Sequence, residues 1–244
     1  MTDFLRVEGL SRRFGGLLAV RDVSFVQARG EILGVIGPNG AGKSTLFDMI
    51  AGATQPDSGV VTFEGTPTTG QSQSRLAQLG IVKTFQTSRP FTSMTFLENA
   101  MTAAFARTLD KRAARATGEK MLRFVGLSEH AATPAKGAST GQRKRLELAR
   151  ALATKPKLLL LDEPFGGVDM AAIESLIALL HRVREAGVTI LFVEHNLDAV
   201  HRLADRVVAM NLGAKIAQGT PAHMIADPDV IKAYLGDDET ADAA

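Results

Sequence analysis

The sequence predicts an α/β fold interrupted by a helical subdomain, and three observations carry that expectation. Residues 158–161 are a short, wholly apolar run and 188–193 one that is apolar but for Thr189, the pattern of parallel strands buried on both faces. Between them Ile173, Leu176, Ile177, Leu180 and Val183 recur at helical spacing, so a crossover helix is expected to join the two strands. Residues 95–155 contain no convincing strand. Segments 98–109, 111–125 and 139–154 instead read as helices in which Ala, Arg and Met are prominent, all good or tolerable helix formers.

The N-terminal part reads as short strands. Residues 4–10 and 23–28 alternate imperfectly, and 60–64 follows a Pro-Asp-Ser-Gly turn. Residues 31–36 form an apolar strand that runs into a glycine-rich loop, with a helix expected from Lys43 to a stop at Gly52. Further on, 206–211 and 214–218 flank a Leu-Gly pair, the pattern of a hairpin, and Thr220-Pro221 reads as a helix cap followed by proline in the first turn. The expected organisation is one domain over 1–236. Core and β subdomain occupy about 1–86 and 157–219, the helical subdomain about 87–156, and a C-terminal helix about 220–236. Residues 237–244, small and acidic, are expected to be a disordered tail.

Bulk composition narrows the function. The 244 residues are 45% hydrophobic and 22% charged, with a formal net charge of +2. So weak a positive balance is not the footprint of a nucleic-acid binder. With no cysteine, disulfides and thiolate metal sites are excluded, which fits the cytosol. No histidine pair has zinc-site spacing. The start of the chain lacks the apolar core of a signal peptide, and no apolar run approaches the ~18 residues of a membrane span. A membrane role therefore implies docking onto a membrane partner.

The chemistry begins at Gly37-Pro38-Asn39-Gly40-Ala41-Gly42-Lys43-Ser44, followed by Thr45, which fits G-x-x-x-x-G-K-[ST] at every fixed position. Glycines let successive N–H groups curl inward onto phosphate oxygens, and the following helix adds the positive end of its dipole. Lys43 is expected to reach the β- and γ-phosphates and the Ser44 hydroxyl to ligate Mg²⁺. The bland alternative is a tight strand–helix turn with an incidental Lys-Ser. Asp162 and Glu163 close the apolar run 158–161, and α/β sheets place ligands at the carboxyl ends of their strands. Alone, such a pair reads as a surface turn. With a phosphate loop upstream, Asp162 reads as a Mg²⁺ holder and Glu163 as the general base that polarises the attacking water.

From this point the chain resembles an ABC transporter ATPase, and further residues match that family's motifs in order. Gln86 matches the Q-loop glutamine, and Ala138-Ser139-Thr140-Gly141-Gln142 the signature motif, usually Leu-Ser-Gly-Gly-Gln. Gly166-Gly167-Val168-Asp169 matches the D-loop and His195 the switch histidine, while Phe14 sits where the family has an adenine-stacking aromatic. The resemblance implies a P-loop NTPase (ABC ATPase) core with an N-terminal antiparallel β subdomain and an inserted α-helical subdomain. It also implies hydrolysis of ATP with Mg²⁺ in head-to-tail pairs. Lys43 and Ser44 would act in cis and Ser139, Gly141 and Gln142 in trans. Gln86 would touch metal and water, and His195 the γ-phosphate or the water. Ala138 and Thr140 depart from the pattern. Thr140 can still offer its N–H provided its φ suits a residue with a β-carbon.

Bland readings stand beside several of these. Phe14 is stacking or core. Phe85, Phe91 and Phe96 are subdomain core, or Phe91 or Phe96 lines the groove for a membrane partner's coupling helix. His130, His181, His201 and His223 are structural or solvated. Arg143, Lys144 and Arg145 read as a solvated helix face. One branch is resembled closely, the ATPases of branched-chain amino acid importers. Phe14-Gly15-Gly16-Leu17, Thr84-Phe85-Gln86, Met94-Thr95 with Glu98-Asn99, and 227–236 carry the likeness. That branch implies two transmembrane permease subunits, a second ATPase subunit, an extracytoplasmic solute-binding protein acting indirectly, and a peripheral position on the inner face of the membrane. The rival readings are an ATPase of lipopolysaccharide export type and a soluble, non-transport ABC ATPase.

Overall fold

A computed structural model describes residues 3–84 and 90–235. In chain order the elements begin β1 (Leu5–Phe14), β2 (Leu17–Gln27), β3 (Ile32–Ile36), α1 (Lys43–Ile50), β4 (Ser58–Phe63) and β5 (Thr66–Pro67). There follow α2 (Gln73–Leu79), β6 (Ile81–Lys83), α3 (Phe96–Ala104), α4 (Lys111–Phe124), α5 (Thr140–Ala153), β7 (Leu158–Asp162) and α6 (Met170–Glu185). The chain closes with β8 (Thr189–Val193), α7 (Leu197–Leu203), β9 (Arg206–Asn211), β10 (Ala214–Gly219), α8 (Pro221–Ala226) and α9 (Pro228–Leu235). Two compact units result, one from the described parts of Met1–Leu76 and Thr189–Ala244, the other Ala77–Val188.

The first unit holds an antiparallel sheet in the order β2-β1-β4-β5, in which Leu5 faces both Gln27 and Phe63. Its alternation is legible in β1, where Leu5, Val7 and Leu10 are buried and Arg6 and Glu8 are exposed, as one-sided sheets require. β2 begins at Leu17, ahead of the 23–28 read from the sequence, because Gly15 at φ 55° turns the chain tightly enough for Phe14 to face Leu17. The same unit pairs β3 in parallel with β8 and β9, and β9 antiparallel with β10. β3 and β8 are buried at every residue. The hairpin β9–β10 turns on Leu212 and Gly213, at φ 47° and 82°, the double left-handed geometry that matches strand twist.

In the second unit β6 and β7 pair in parallel, and α3, α4 and α5 pack through small residues. Ala104, Ala114 and Ala153 form one buried cluster, and a β-carbon at Gly118 would stand 3.1 Å from Leu97. α3 starts at Phe96, two residues before the expected start, because Thr95 and Glu98 form a reciprocal capping box. It ends at Ala104 rather than 109, since Phe105 and Leu109 are exposed and bury nothing to sustain a further turn. Asn99, fully buried, accepts from the Phe91 N–H and donates to the carbonyls of Phe91 and Thr95. One amide thus fixes the segment leading into α3. Helices α2 and α7 were not expected. Each spans seven residues, and α2 buries only Leu76, too little for a helical period to show.

Candidate nucleotide site

The buried strand β3 delivers the chain into the 37–44 loop. Gly37 has φ 148°, and a β-carbon there would lie 2.1 Å from the Met210 carbonyl oxygen; at Gly42, φ 93°, it would lie 2.2 Å from that of Ala19. Neither position has room for any side chain. Gly42 caps α1 in a left-handed conformation and, having no side chain, makes no side-chain cap bond, which suits a helix end that receives an anion. Lys43 is buried and its ammonium donates to the carbonyls of Gly37 at 2.7 Å and Pro38 at 2.8 Å. The Gly213 N–H, at the hairpin tip, donates to the Ala41 carbonyl at 3.2 Å. Asn39, Gly40 and Ser44 are exposed, and Pro38 and Thr45 half-buried. One contact had no warning in the sequence: the Gly37 N–H donates to the Tyr234 hydroxyl of α9 at 2.9 Å.

His195 belongs to the same unit, just beyond β8, with its side chain 59% exposed. Its backbone is anchored by Glu194, whose carboxylate, 1% exposed, accepts from the N–H groups of His195 and Asn196 at 3.1 and 3.4 Å. Asn196 in turn caps α7. A buried carboxylate therefore sets where the exposed imidazole stands. Phe14, at the end of β1, is 46% exposed, with the Arg12 guanidinium 4.8 Å from its ring centre. The core reading of Phe14 is thereby set aside.

In the second unit, β7 ends on Asp162, which is 5% exposed. Its Oδ2 meets the Lys83 ammonium at 3.1 Å, while its Oδ1 is buried with no hydrogen-bond partner among the described residues. Buried oxygens are rarely left so, and a carboxylate oxygen of this kind suits a cation. Glu163 follows with φ 48°, a left-handed conformation costing about 1–2 kcal/mol for a residue with a side chain. Its carbonyl accepts from the Lys144 ammonium at 2.8 Å and the Gly166 N–H at 3.1 Å. Lys144 and Arg145 are half-buried, and Arg145 donates to the Val125 carbonyl at 2.9 Å. Arg143 donates to the Ala138 carbonyl at 2.8 Å, so the expected solvated face is corrected: all three of its cations brace backbone.

Ser139 caps α5. Its hydroxyl oxygen accepts from the Gln142 N–H at 3.2 Å, and its own N–H donates to Gln142 Oε1 at 2.9 Å. The Ser139 hydroxyl hydrogen is still available to donate. Thr140 is the first residue of α5 and is not among the residues of positive φ, so a β-carbon there brings no strain. Gly141 follows it in the first turn. Gln142 Nε2 lies 3.0 Å from His130 Nε2, and His130 packs against the Phe96 ring. Phe96 is core, whereas Phe91 is exposed beneath the Arg150 guanidinium. Asp169 caps α6, accepting from the Ala172 N–H. Phe85 and Gln86 lie outside the described residues.

Comparison with known proteins agrees with these motifs. The ABC transporter family model matches residues 20–166, and that of the branched-chain amino acid ATP-binding cassette transporter matches 214–240. The high-affinity branched-chain amino acid transport ATP-binding protein BraF of Pseudomonas aeruginosa is 39% identical, over 96% of this chain and 98% of BraF. LivG of Escherichia coli, of the same description, is 37% identical over the same shares. Among solved structures, a nucleotide-free ATP-binding cassette from an ABC transporter superposes with a TM-score of 0.89 at 32% identity, covering 96% of this chain and all of that one. An ADP-bound ABC cassette gives 0.88 at 33% identity, covering 97% and all. The chain belongs to the ABC transporter family and is one of its ATP-binding, ATP-hydrolysing subunits. Such subunits work in pairs and with membrane permease partners.

Proposed function

We propose that this chain powers an importer of branched-chain amino acids or a related small amino acid or amide. One observation carries the reading. The likeness to branched-chain transport ATP-binding proteins spans 96% of the chain and includes the 214–240 segment that a family model of that description matches. The partners are two transmembrane permease subunits and a second ATPase subunit, with an extracytoplasmic binding protein delivering the solute, and the chain sits on the cytoplasmic face of the membrane. No helix among the described residues is long and apolar enough to cross it.

In this reading the loop from Gly37 to Thr45 takes the phosphates of ATP, and Phe14 stacks on adenine. Ser44, Gln86 and Asp162 hold Mg²⁺, which supplies positive charge against the phosphate oxygens. The unpartnered Oδ1 of Asp162 is the feature that fits such an ion. Glu163 takes the proton of the attacking water, and His195 holds that water or the γ-phosphate. Ser139, Gly141 and Gln142 serve the nucleotide of the partner subunit. The segment around exposed Phe91 docks the permease.

Two experiments test these assignments. In cells whose only copy carries Glu163→Gln, uptake of labelled leucine, isoleucine and valine drops to background. Undiminished uptake of all three, or recovery of the chain with lipopolysaccharide-export proteins, overturns the solute reading. For the trans assignment, Ser139→Arg and Lys43→Ala subunits are mixed. Each homodimer is inactive, and mixed pairs regain activity from one intact composite site. Activity that never exceeds that of either parent rejects it.

A further inference from the structure

The C-terminal helix carries the chain's single tyrosine, and that tyrosine is fixed to the phosphate loop. Val230 and Tyr234 lie one turn apart on the same face of α9, and Val230 is buried. With Met224 and Ile231 they line an apolar cavity of about 170 Å³, whose other walls include Ile36, the last residue of β3, and Leu197, the first of α7. Across this cavity the helix faces the strand that leads into the phosphate loop and the helix that follows His195. A directional polar contact ties it to the loop, Gly37 N–H to Tyr234 Oη at 2.9 Å. The carbonyl of the same glycine accepts from Lys43 Nζ at 2.7 Å. Gly37 is thus held at both its polar groups, by Tyr234 and by the lysine that meets phosphate.

We infer that α9 is a working part of the nucleotide site, with Tyr234 a positioning residue that fixes Gly37 and, through it, the Lys43 ammonium. The inference rests on the phosphate-loop reading above. The Met210 carbonyl bars a side chain at Gly37, but a glycine with φ 148° has no β-carbon to restrict its own torsions. A hydrogen bond to its N–H removes that freedom before nucleotide arrives. Burial raises the pKa of the phenol, with the Gly37 bond acting in the opposite sense, so the hydroxyl stays neutral near pH 7.

Tyr234→Phe in the full chain tests this, since the ring still lines the cavity and only the hydroxyl is lost. ADP and ATP, each with Mg²⁺, are expected to bind about three- to thirty-fold more weakly. KM should rise while kcat at saturating ATP stays within about twofold, the split expected when ground-state and transition-state binding are lost equally. Amide exchange at Gly37 should quicken, with exchange in β9 and β10 unchanged. A role in packing alone would lower the melting temperature without the KM shift. Unchanged affinity, or weaker affinity with unchanged exchange at Gly37, overturns the inference. Failure of the wild-type chain itself to bind either nucleotide would instead sink the phosphate-loop reading.

Discussion

Glu163→Gln is expected to bind ATP with near wild-type affinity, to turn over about 10²–10⁴-fold more slowly, and to accumulate as a closed dimer on gel filtration in ATP. That factor is the usual contribution of a positioned general base. The substitution is close to isosteric, and it leaves the Glu163 carbonyl in place. The left-handed turn at Glu163 is held through its carbonyl by Lys144 and Gly166, and an amide side chain leaves both bonds in place. What changes is the ability to accept a proton. Phosphate release reads the loss, and hydrolysis at near wild-type rate would show that another group activates the water.

Lys43→Ala is expected to lose nucleotide affinity by at least about ten- to hundredfold, the equivalent of one charge-assisted hydrogen bond of roughly 1.5–3 kcal/mol. Two losses combine. The positive charge aimed at phosphate disappears, and so does the cross-brace from the ammonium to the carbonyls of Gly37 and Pro38. The loop backbone itself stays crowded by Met210 and Ala19, so the fold should survive and the defect should lie in binding. Fluorescent-nucleotide titration measures it, and unchanged binding would refute the phosphate-loop reading.

The parts of this molecule legible in its sequence are those whose partners are local or repetitive. The runs at 158–161 and 188–193 announce strands because burial on both faces leaves them apolar, the small Thr189 apart. The loop at 37–44 is legible because backbone approach demands glycine at fixed spacing. The helix at Thr220 is legible because a cap is a four-residue event. What stayed hidden depends on distant partners. The Lys144 ammonium reaches a carbonyl 19 positions on, and nothing in Arg143-Lys144-Arg145 distinguishes a cation that braces backbone from one in water. Tyr234 meets Gly37 across 197 positions. Glu194, beside a histidine given a role, acts through a buried carboxylate, while strand-end glutamates are ordinarily solvated. α2 buries a single residue, and α7, though it buries Ala199, Val200 and Leu203, spans only seven residues, too short a stretch for a period to stand out.

The reciprocal cap at the start of α5 sets the entropy of pairing. Ser139 and Gln142 already fix one another within a single chain, and His130 engages the far end of the glutamine. Ordering a side chain on association costs about 0.5–1.5 kcal/mol. Here that ordering is complete when the subunit folds, whether or not a partner is near. On the proposal that Ser139 and Gln142 serve the partner's nucleotide, this helix end is a pre-organised receptor, and these two side chains add little to the conformational term that opposes assembly. Capture of a γ-phosphate there would then need no rotamer search at this helix end.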